Sequence, residues 1–150
     1  MRPHPLFAAL LLVLTSPGGP QGEDARPKLP TITAEHLSST PNVVIVDVRR
    51  PEHWDASELQ IAGAWRGPPG TVQQWSKELS PRALIVLYCD CPGSATSARV
   101  AEELVLLGFR TVYVLEGGWS RWSAAGFPVE KRVHPQNLWA PSGSGRSPSV

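Results

Sequence analysis

The chain has 150 residues, which is enough for one ordinary domain and no more. Its formal net charge of +1 excludes the strongly basic balance of a general nucleic-acid-binding protein, and the sequence contains no nucleic-acid-binding motif. Its 16 prolines are denser toward the two ends than in the middle, so the fold is expected in the middle of the chain.

The first 22 residues have the pattern of a secretory signal peptide. Arg2 supplies a positive charge, residues 6–14 form an apolar run, and small, turn-forming residues follow. The run is too short to cross a bilayer, so we expect no membrane span in the mature chain. We predict that residues 1–22 are removed and that the protein is exported to the periplasm or the extracellular space, which are oxidising compartments. An uncleaved or buried apolar helix is the alternative.

Composition divides the rest of the chain into a linker, a domain and a tail. Residues 23–30 are charged and contain proline, which is typical of a linker. Residues 134–150 are rich in Pro, Ser and Gly with few apolar anchors, so we predict a disordered tail. The folded domain is therefore predicted to span residues 31–133.

Within the domain, apolar runs that predict buried strands alternate with segments that predict helices. The predicted strands are residues 43–48, 83–88 and 111–115, with a short extended piece at 61–65. The predicted helices are residues 33–37 with Thr33 as N-cap, 52–54, 71–79 with a Thr71–Gln74 capping box, 98–107 and 119–125. The helix at 98–107 is expected to bury Ala98, Ala101, Leu104, Val105 and Leu107. This alternation favours an α/β sandwich with a mainly parallel central sheet.

Both cysteines, Cys89 and Cys91, lie where the strand at 83–88 meets a loop rich in Gly, Ser and Thr that opens a helix. The carboxyl end of a sheet strand is where open α/β sheets place their ligand crevices. The free N–H groups and the dipole of a helix N-terminus also favour a thiolate and an incoming anion. A buried packing cysteine is the alternative, but this order of strand, cysteine, loop and helix favours a functional thiol.

Three other uses of the cysteines are weakly supported. A spacing of Cys-x-Cys is not a disulfide framework. A Cys-x5-Arg phosphatase needs an arginine six positions after its nucleophile, where Ala95 and Ser97 stand after Cys89 and Cys91. Two cysteines supply only part of a tetrahedral metal site, and the histidines show no ligand spacing. We therefore predict no metal and no other cofactor.

The order and spacing of these segments resemble the rhodanese-like domain, a single-domain sulfurtransferase family. The matching pieces, found between Thr31 and Arg132, are residues 43–49 ending in Asp-x-Arg, 52–54, 61–64, Tyr88-Cys89, 107–119 and 125–129. The resemblance implies a three-layer sandwich with a central sheet of about five strands. It also implies movement of sulfane sulfur through a cysteine persulfide. The partners would then be a small sulfur donor and a thiophilic acceptor, either a small molecule or a protein thiol.

The resemblance also implies which residues form the site. Alignment on Tyr88 makes Cys89 the nucleophile and alignment on Ser97 makes it Cys91; we favour Cys89 because it ends the strand. Asp47 and Arg49, the Asp-x-Arg pair, are given a supporting role. The substrate would be cradled by the backbone N–H groups of the loop, which comprises Asp90, Cys91, Pro92, Gly93, Ser94, Ala95, Thr96 and Ser97.

This loop is a variant of the Cys-x-Cys-Pro type, and Asp90 follows Cys89 where the family usually has an arginine. Because the loop offers no cation, we expect thiosulfate, a dianion, to bind poorly and a neutral or protein-borne persulfide donor to bind better. Candidates to supply charge from elsewhere are Arg49, Arg50, Arg66 and Arg99. Cys89 and Cys91 are expected either to form a disulfide or to act in sequence, with Cys91 resolving the persulfide. The alternative function is a non-catalytic binding or redox module that uses the cysteine pair.

Overall fold

A computed structural model of the protein describes residues 28–132. The predicted signal peptide, most of the predicted linker and the predicted tail lie outside these residues, so the predictions about them and about export stay predictions. Among residues 28–132, no helix has both the length and the apolar character needed to cross a bilayer.

Seven strands form two sheets in the described part of the chain. They are β1 (Thr31–Ile32), β2 (Val43–Asp47), β3 (Leu59–Ile61), β4 (Trp65–Arg66), β5 (Leu84–Tyr88), β6 (Thr111–Leu115) and β7 (Val129–Lys131). The central sheet has five strands in the order β1-β6-β5-β2-β4, and every pair of neighbours is parallel. β3 and β7 form a separate antiparallel pair. The predicted α/β fold with its mainly parallel central sheet is confirmed.

Helices cover both faces of the central sheet. They are α1 (Ala34–Ser39), α2 (Pro51–Asp55), α3 (Val72–Trp75), α4 (Ala95–Leu106) and α5 (Gly118–Ala124), with 3-10 turns at Ser76–Glu78 and Pro92–Ser94. Apolar residues of α3 and α4 pack on one face, against alternate residues of β2 and β5. Those of α1 and α5 pack on the other face. Because β2 and β5 are buried on both faces, their carboxyl ends form a fixed edge on which a site can be built.

The local predictions for two helix starts have different outcomes. Thr33 caps α1, since its side chain accepts a hydrogen bond from the His36 N–H at 3.3 Å. The Thr71 capping box is wrong, because the Thr71 side chain makes no cap hydrogen bond and instead donates to the Pro68 carbonyl at 3.4 Å. The Thr71 N–H donates to the same carbonyl at 3.1 Å. The helix predicted at 71–79 is α3 at Val72–Trp75 followed by the 3-10 turn at Ser76–Glu78.

The predicted inner face of α4 also needs correction. Val105 is 47% exposed and Leu107 is 43% exposed. Ala101 and Leu104 are buried as predicted and Ala98 is partly buried, while Ser97 and Val100 complete the buried face of α4. This is the stripe that helical spacings of three and four generate, and Val105 lies one residue beyond it. Leu107 follows the last helical residue as the C-cap and turns outward.

Candidate active site

The loop after β5 turns sharply before α4 begins. Gly93 and Ser94 both have left-handed backbone conformations, with φ values of 62° and 55°. The Ser94 N–H donates to the Cys91 carbonyl at 3.1 Å, which closes the turn. A glycine adopts such a φ without cost, whereas Ser94 requires the support of its surroundings. The turn aims the start of α4 back toward Cys91.

A cleft of about 460 Å³ opens at this turn. It is lined by Asp90, Cys91, Pro92, Gly93, Ser94, Gly117 and Ser120. Of the loop residues predicted to bind substrate, the first five therefore line the cleft. Ala95, Thr96 and Ser97 lie in the first turn of α4, and Ser97 is fully buried and does not reach the cleft.

The two cysteines differ in their surroundings. Cys91 is half-buried and lines the cleft, whereas Cys89 is 2% exposed and belongs to the core beneath it. The Cys91 sulfur accepts a hydrogen bond from the Thr96 N–H at 3.3 Å. Thr96 is the second residue of α4, so this donor is one of the N–H groups that the helix leaves free. Such a donor, together with the helix dipole, favours negative charge on a sulfur at this position.

Cys89 and Cys91 are joined by a disulfide, and their Cα atoms are 5.8 Å apart. This is the first of the two behaviours expected of the pair. In this state neither sulfur is a nucleophile, because the thiolate is the reactive form. Any reaction of these sulfurs with a donor therefore starts from the reduced pair.

The turn between β6 and α5 holds the loop from the other side. Gly117 and Gly118 both have left-handed conformations, with φ values of 70° and 51°. The Trp119 N–H donates to the Cys89 carbonyl at 3.0 Å. A Cβ atom on Gly118 would overlap the same carbonyl oxygen. Only glycine permits this close approach, so the position of Cys89 depends on Gly118.

The cleft is acidic rather than basic. Asp90 accepts a hydrogen bond from the Ser120 hydroxyl, which fixes its carboxylate at the rim. Among the cleft-lining residues that the structure describes, none is a cation. Arg50 forms a surface ion pair with Glu52 at 3.0 Å, and Arg99 donates to the Pro69 carbonyl at 2.7 Å, so neither supplies charge to the cleft.

Asp47 and Arg49, the predicted supporting pair, lie buried beneath the loop. The Arg49 guanidinium donates to the Asp47 carboxylate at 2.6 to 3.0 Å, and the Tyr88 hydroxyl donates to the same carboxylate at 2.6 Å. Arg66 donates to the carbonyls of Asp47 and Arg49 at 2.9 and 2.7 Å. Because Tyr88 directly precedes Cys89, this cluster ties the carboxyl ends of β2 and β5 together under the site.

Burial and neighbouring charges together determine the pKa values of the residues in this cluster. Burial opposes the charge of Arg49, but the hydrogen bond and attraction of Asp47 outweigh it and raise the pKa of Arg49. Burial lowers the pKa of Arg66, partly offset by attraction to Asp47. Burial, and then repulsion from Asp47, raise the pKa of Tyr88 well above its ordinary value, so Tyr88 stays a neutral donor. The Asp90 carboxylate also attracts the Arg49 guanidinium, but Arg49 is fully buried and does not line the cleft.

Sequence reasoning missed the contribution of the β6–α5 turn. Gly117 and Ser120 line the cleft, and the centre of the Trp119 ring lies 4.8 Å from the Arg49 guanidinium carbon. A signal was present, because a Gly-Gly pair follows the predicted strand at 111–115. In a parallel sheet, neighbouring strands bring such turns to one edge.

Comparisons with known proteins agree with this architecture. Residues 31–125 match the rhodanese-like domain. A thiosulfate sulfurtransferase GlpE from Coxiella burnetii is 31% identical over 93 residues, which cover 62% of this chain and 83% of that protein. The solution structure of a rhodanese-like domain from the Anabaena protein Alr3790 is 27% identical, with a TM-score of 0.59, and the match covers 81% of this chain and 91% of that one. A Rhodopseudomonas palustris protein of unknown function, RPA3614, described as a possible tyrosine phosphatase, is 29% identical with a TM-score of 0.56, over 68% of this chain and 85% of that one.

Proposed function

Since this chain belongs to the rhodanese-like domain family, we propose that it is a sulfurtransferase that moves sulfane sulfur through a cysteine persulfide. The observation that carries the proposal is the position of the Cys91 sulfur, in an open cleft and hydrogen-bonded to a free N–H of α4. We further propose that the protein acts after export, because residues 1–22 have a signal-peptide pattern and a disulfide persists in an oxidising compartment.

The proposed reaction is a double displacement. The Cys91 thiolate attacks the outer sulfur of a donor and the bond between the donor's two sulfurs breaks. The rest of the donor leaves with the electron pair of that bond, as a thiolate from a persulfide or as sulfite from thiosulfate. A thiophilic acceptor then attacks the outer sulfur of the Cys91 persulfide and carries it away, and the Cys91 thiolate is restored. The backbone N–H groups of the turn around Gly93 and of the first turn of α4 stabilise the anionic sulfur.

We assign the persulfide to Cys91. The sequence favoured Cys89 as the nucleophile, because Cys89 ends the strand. Cys89 is almost fully buried and does not line the cleft, so a donor in the cleft meets Cys91 first. The alignment on Ser97 gives the same assignment.

The test uses two variants that each keep one thiol, Cys89→Ser and Cys91→Ser. Each is reduced, freed of reductant and exposed without oxygen to glutathione persulfide, and its intact mass is measured. Cys89→Ser should gain one sulfur atom in near-stoichiometric yield and Cys91→Ser should gain almost none. The reverse pattern would move the nucleophile to Cys89. Unchanged masses in both variants would reject sulfur transfer and leave the binding or redox module.

Asp90 is expected to discriminate against thiosulfate. Two unit charges about 8 Å apart in water repel by about 0.5 kcal/mol, so a carboxylate at the rim costs a dianion about 1 kcal/mol or more. Asp90→Asn keeps an acceptor for Ser120 and should raise kcat/KM for thiosulfate about three- to tenfold, measured by sulfite release. Glu78→Gln, which removes an exposed carboxylate outside the cleft, should leave it unchanged. Equal values for Asp90→Asn and the unsubstituted protein would mean that Asp90 does not select the donor.

The likeness to RPA3614 does not lead us to propose a phosphatase. Phosphoryl transfer through a cysteine needs an arginine that holds the phosphoryl oxygens. In the described part of the chain, Asp90 is the charged residue at the cleft and no arginine lines it. The negative charge of Asp90 repels a phosphate ester, as it repels thiosulfate.

A further inference from the structure

We infer that the protein is also a dithiol-dependent persulfide reductase, in which the buried Cys89 thiol resolves the Cys91 persulfide and releases hydrosulfide. This inference rests on the proposed function, because it begins from the same persulfide. It adds a second fate for the sulfur, in which no external acceptor receives it. It also explains the Cys89–Cys91 disulfide as a product of turnover.

The geometry places the resolving thiol beside its target. The Cα atoms of Cys89 and Cys91 are 5.8 Å apart, within the range of about 4.4–6.8 Å that disulfides use. Both residues are held by backbone hydrogen bonds, Cys89 through its carbonyl to Trp119 and Cys91 through its carbonyl to Ser94. The disulfide therefore forms without a change in the backbone around the site.

Burial separates the roles of the two sulfurs. Cys91 faces the cleft, where a donor enters, and Cys89 lies in the core with 2% exposure. An external acceptor must diffuse into the cleft and meet the rim at Asp90, whereas Cys89 is already adjacent. A positioned neighbour acts at an effective concentration far above that of a dissolved thiol. The internal reaction is therefore expected to outrun transfer to an external monothiol.

The step balances without another reactant. The Cys89 thiol loses its proton and its sulfur attacks the Cys91 sulfur. The Sγ–Sγ bond forms, the bond from Cys91 to the outer sulfur breaks, and that sulfur leaves with the electron pair as hydrosulfide. The two cysteines are oxidised to a disulfide, and the sulfane sulfur is reduced. An external dithiol then attacks the accessible Cys91 sulfur, Cys89 leaves as a thiolate, and the second thiol of the reductant releases Cys91.

The experiment compares the unsubstituted protein with Cys89→Ser in a single turnover. Both proteins are reduced, freed of reductant and mixed without oxygen with one equivalent of glutathione persulfide. Hydrosulfide is trapped with a bimane reagent, and the protein mass is followed over time. The unsubstituted protein should release close to one equivalent of hydrosulfide and end two hydrogens lighter than its reduced form. Cys89→Ser should keep one added sulfur and release hydrosulfide on the order of a hundredfold more slowly.

The outcomes separate this inference from the proposed function. A persulfide that lasts as long on the unsubstituted protein as on Cys89→Ser would overturn the inference and leave sulfur transfer intact. Failure of Cys89→Ser to gain sulfur would overturn the proposed function instead. A glutathione adduct on Cys89→Ser would show attack at the donor's inner sulfur and would also overturn the inference. Cys89→Ala, whose apolar side chain suits the buried position, repeats each measurement in case the serine disturbs folding.

Discussion

Arg49→Met is expected to lower the free energy of unfolding by about 3–5 kcal/mol, because it breaks a buried ion pair and leaves one partner charged. Arg49 and Asp47 both have fully buried side chains. Methionine preserves most of the length and the apolar stem, but it removes every guanidinium hydrogen bond to the Asp47 carboxylate. Arg66, whose nearest approach to that carboxylate is 3.8 Å, does not replace them.

Arg50→Met is the matched control for this substitution. Arg50 is the next residue, it pairs with Glu52, and its side chain is 54% exposed, so its replacement should cost less than about 1 kcal/mol. Urea unfolding of both variants gives the comparison. Equal losses of stability would show that the Asp47–Arg49 pair does not hold the ends of β2 and β5. If it does, adding Asp47→Asn to Arg49→Met should recover part of the loss, because no carboxylate then remains unpaired.

The long strands were predictable from the sequence, whereas the short ones were not. The extended piece predicted at 61–65 is wrong, because it is the turn that joins the end of β3 to the start of β4. β2, β5 and β6 are runs of β-branched and other apolar residues, which a sheet buried on both faces requires. β3 and β7 have three residues each and β4 has two. Their sequences carry no strong periodicity, and their pairing depends on segments distant in the chain, such as Leu59 with Lys131. Tertiary contacts decide such pieces, so local propensity does not reveal them.

The sequence indicated the loop that lines the cleft, but not the internal arrangement of that loop. The strand, the cysteine pair and the helix start are adjacent in the chain, so their pattern is visible. Which sulfur faces the cleft depends on the turn at Gly118, which follows Cys89 by 29 residues and reaches it only because β6 lies beside β5. The direction of each arginine is likewise set by its partners, as the burial of Arg49 against Asp47 shows. The presence of an arginine in the sequence does not reveal which residue it pairs with, because the pairing depends on the fold.

Gly118→Ala is expected to destabilise the protein by about 2–5 kcal/mol and to slow persulfide formation at least about tenfold. A left-handed conformation costs alanine about 1–2 kcal/mol, and the φ of Gly118 is 51°. The overlap of the new Cβ with the Cys89 carbonyl oxygen adds about 1–3 kcal/mol, the usual cost of overpacking. The chain relieves the overlap by moving Cys89, and the loop that presents Cys91 moves with it.

Gly126→Ala separates these two costs. Gly126 has a φ of 75°, yet a Cβ there would meet no atom within 4 Å, so alanine should incur the backbone cost alone. Both substitutions are compared by urea unfolding and, in the Cys89→Ser background, by the rate at which Cys91 gains sulfur from glutathione persulfide. Gly126→Ala should leave that rate within about twofold, because it lies at the far end of α5 and the activation barrier depends on the loop geometry. If the two alanines behave alike in both measurements, the contact between Gly118 and Cys89 does not position the reacting sulfur. If they differ as expected, Cys91 is held in place through the Cys89 carbonyl, which the β6–α5 turn approaches closely because residue 118 is glycine.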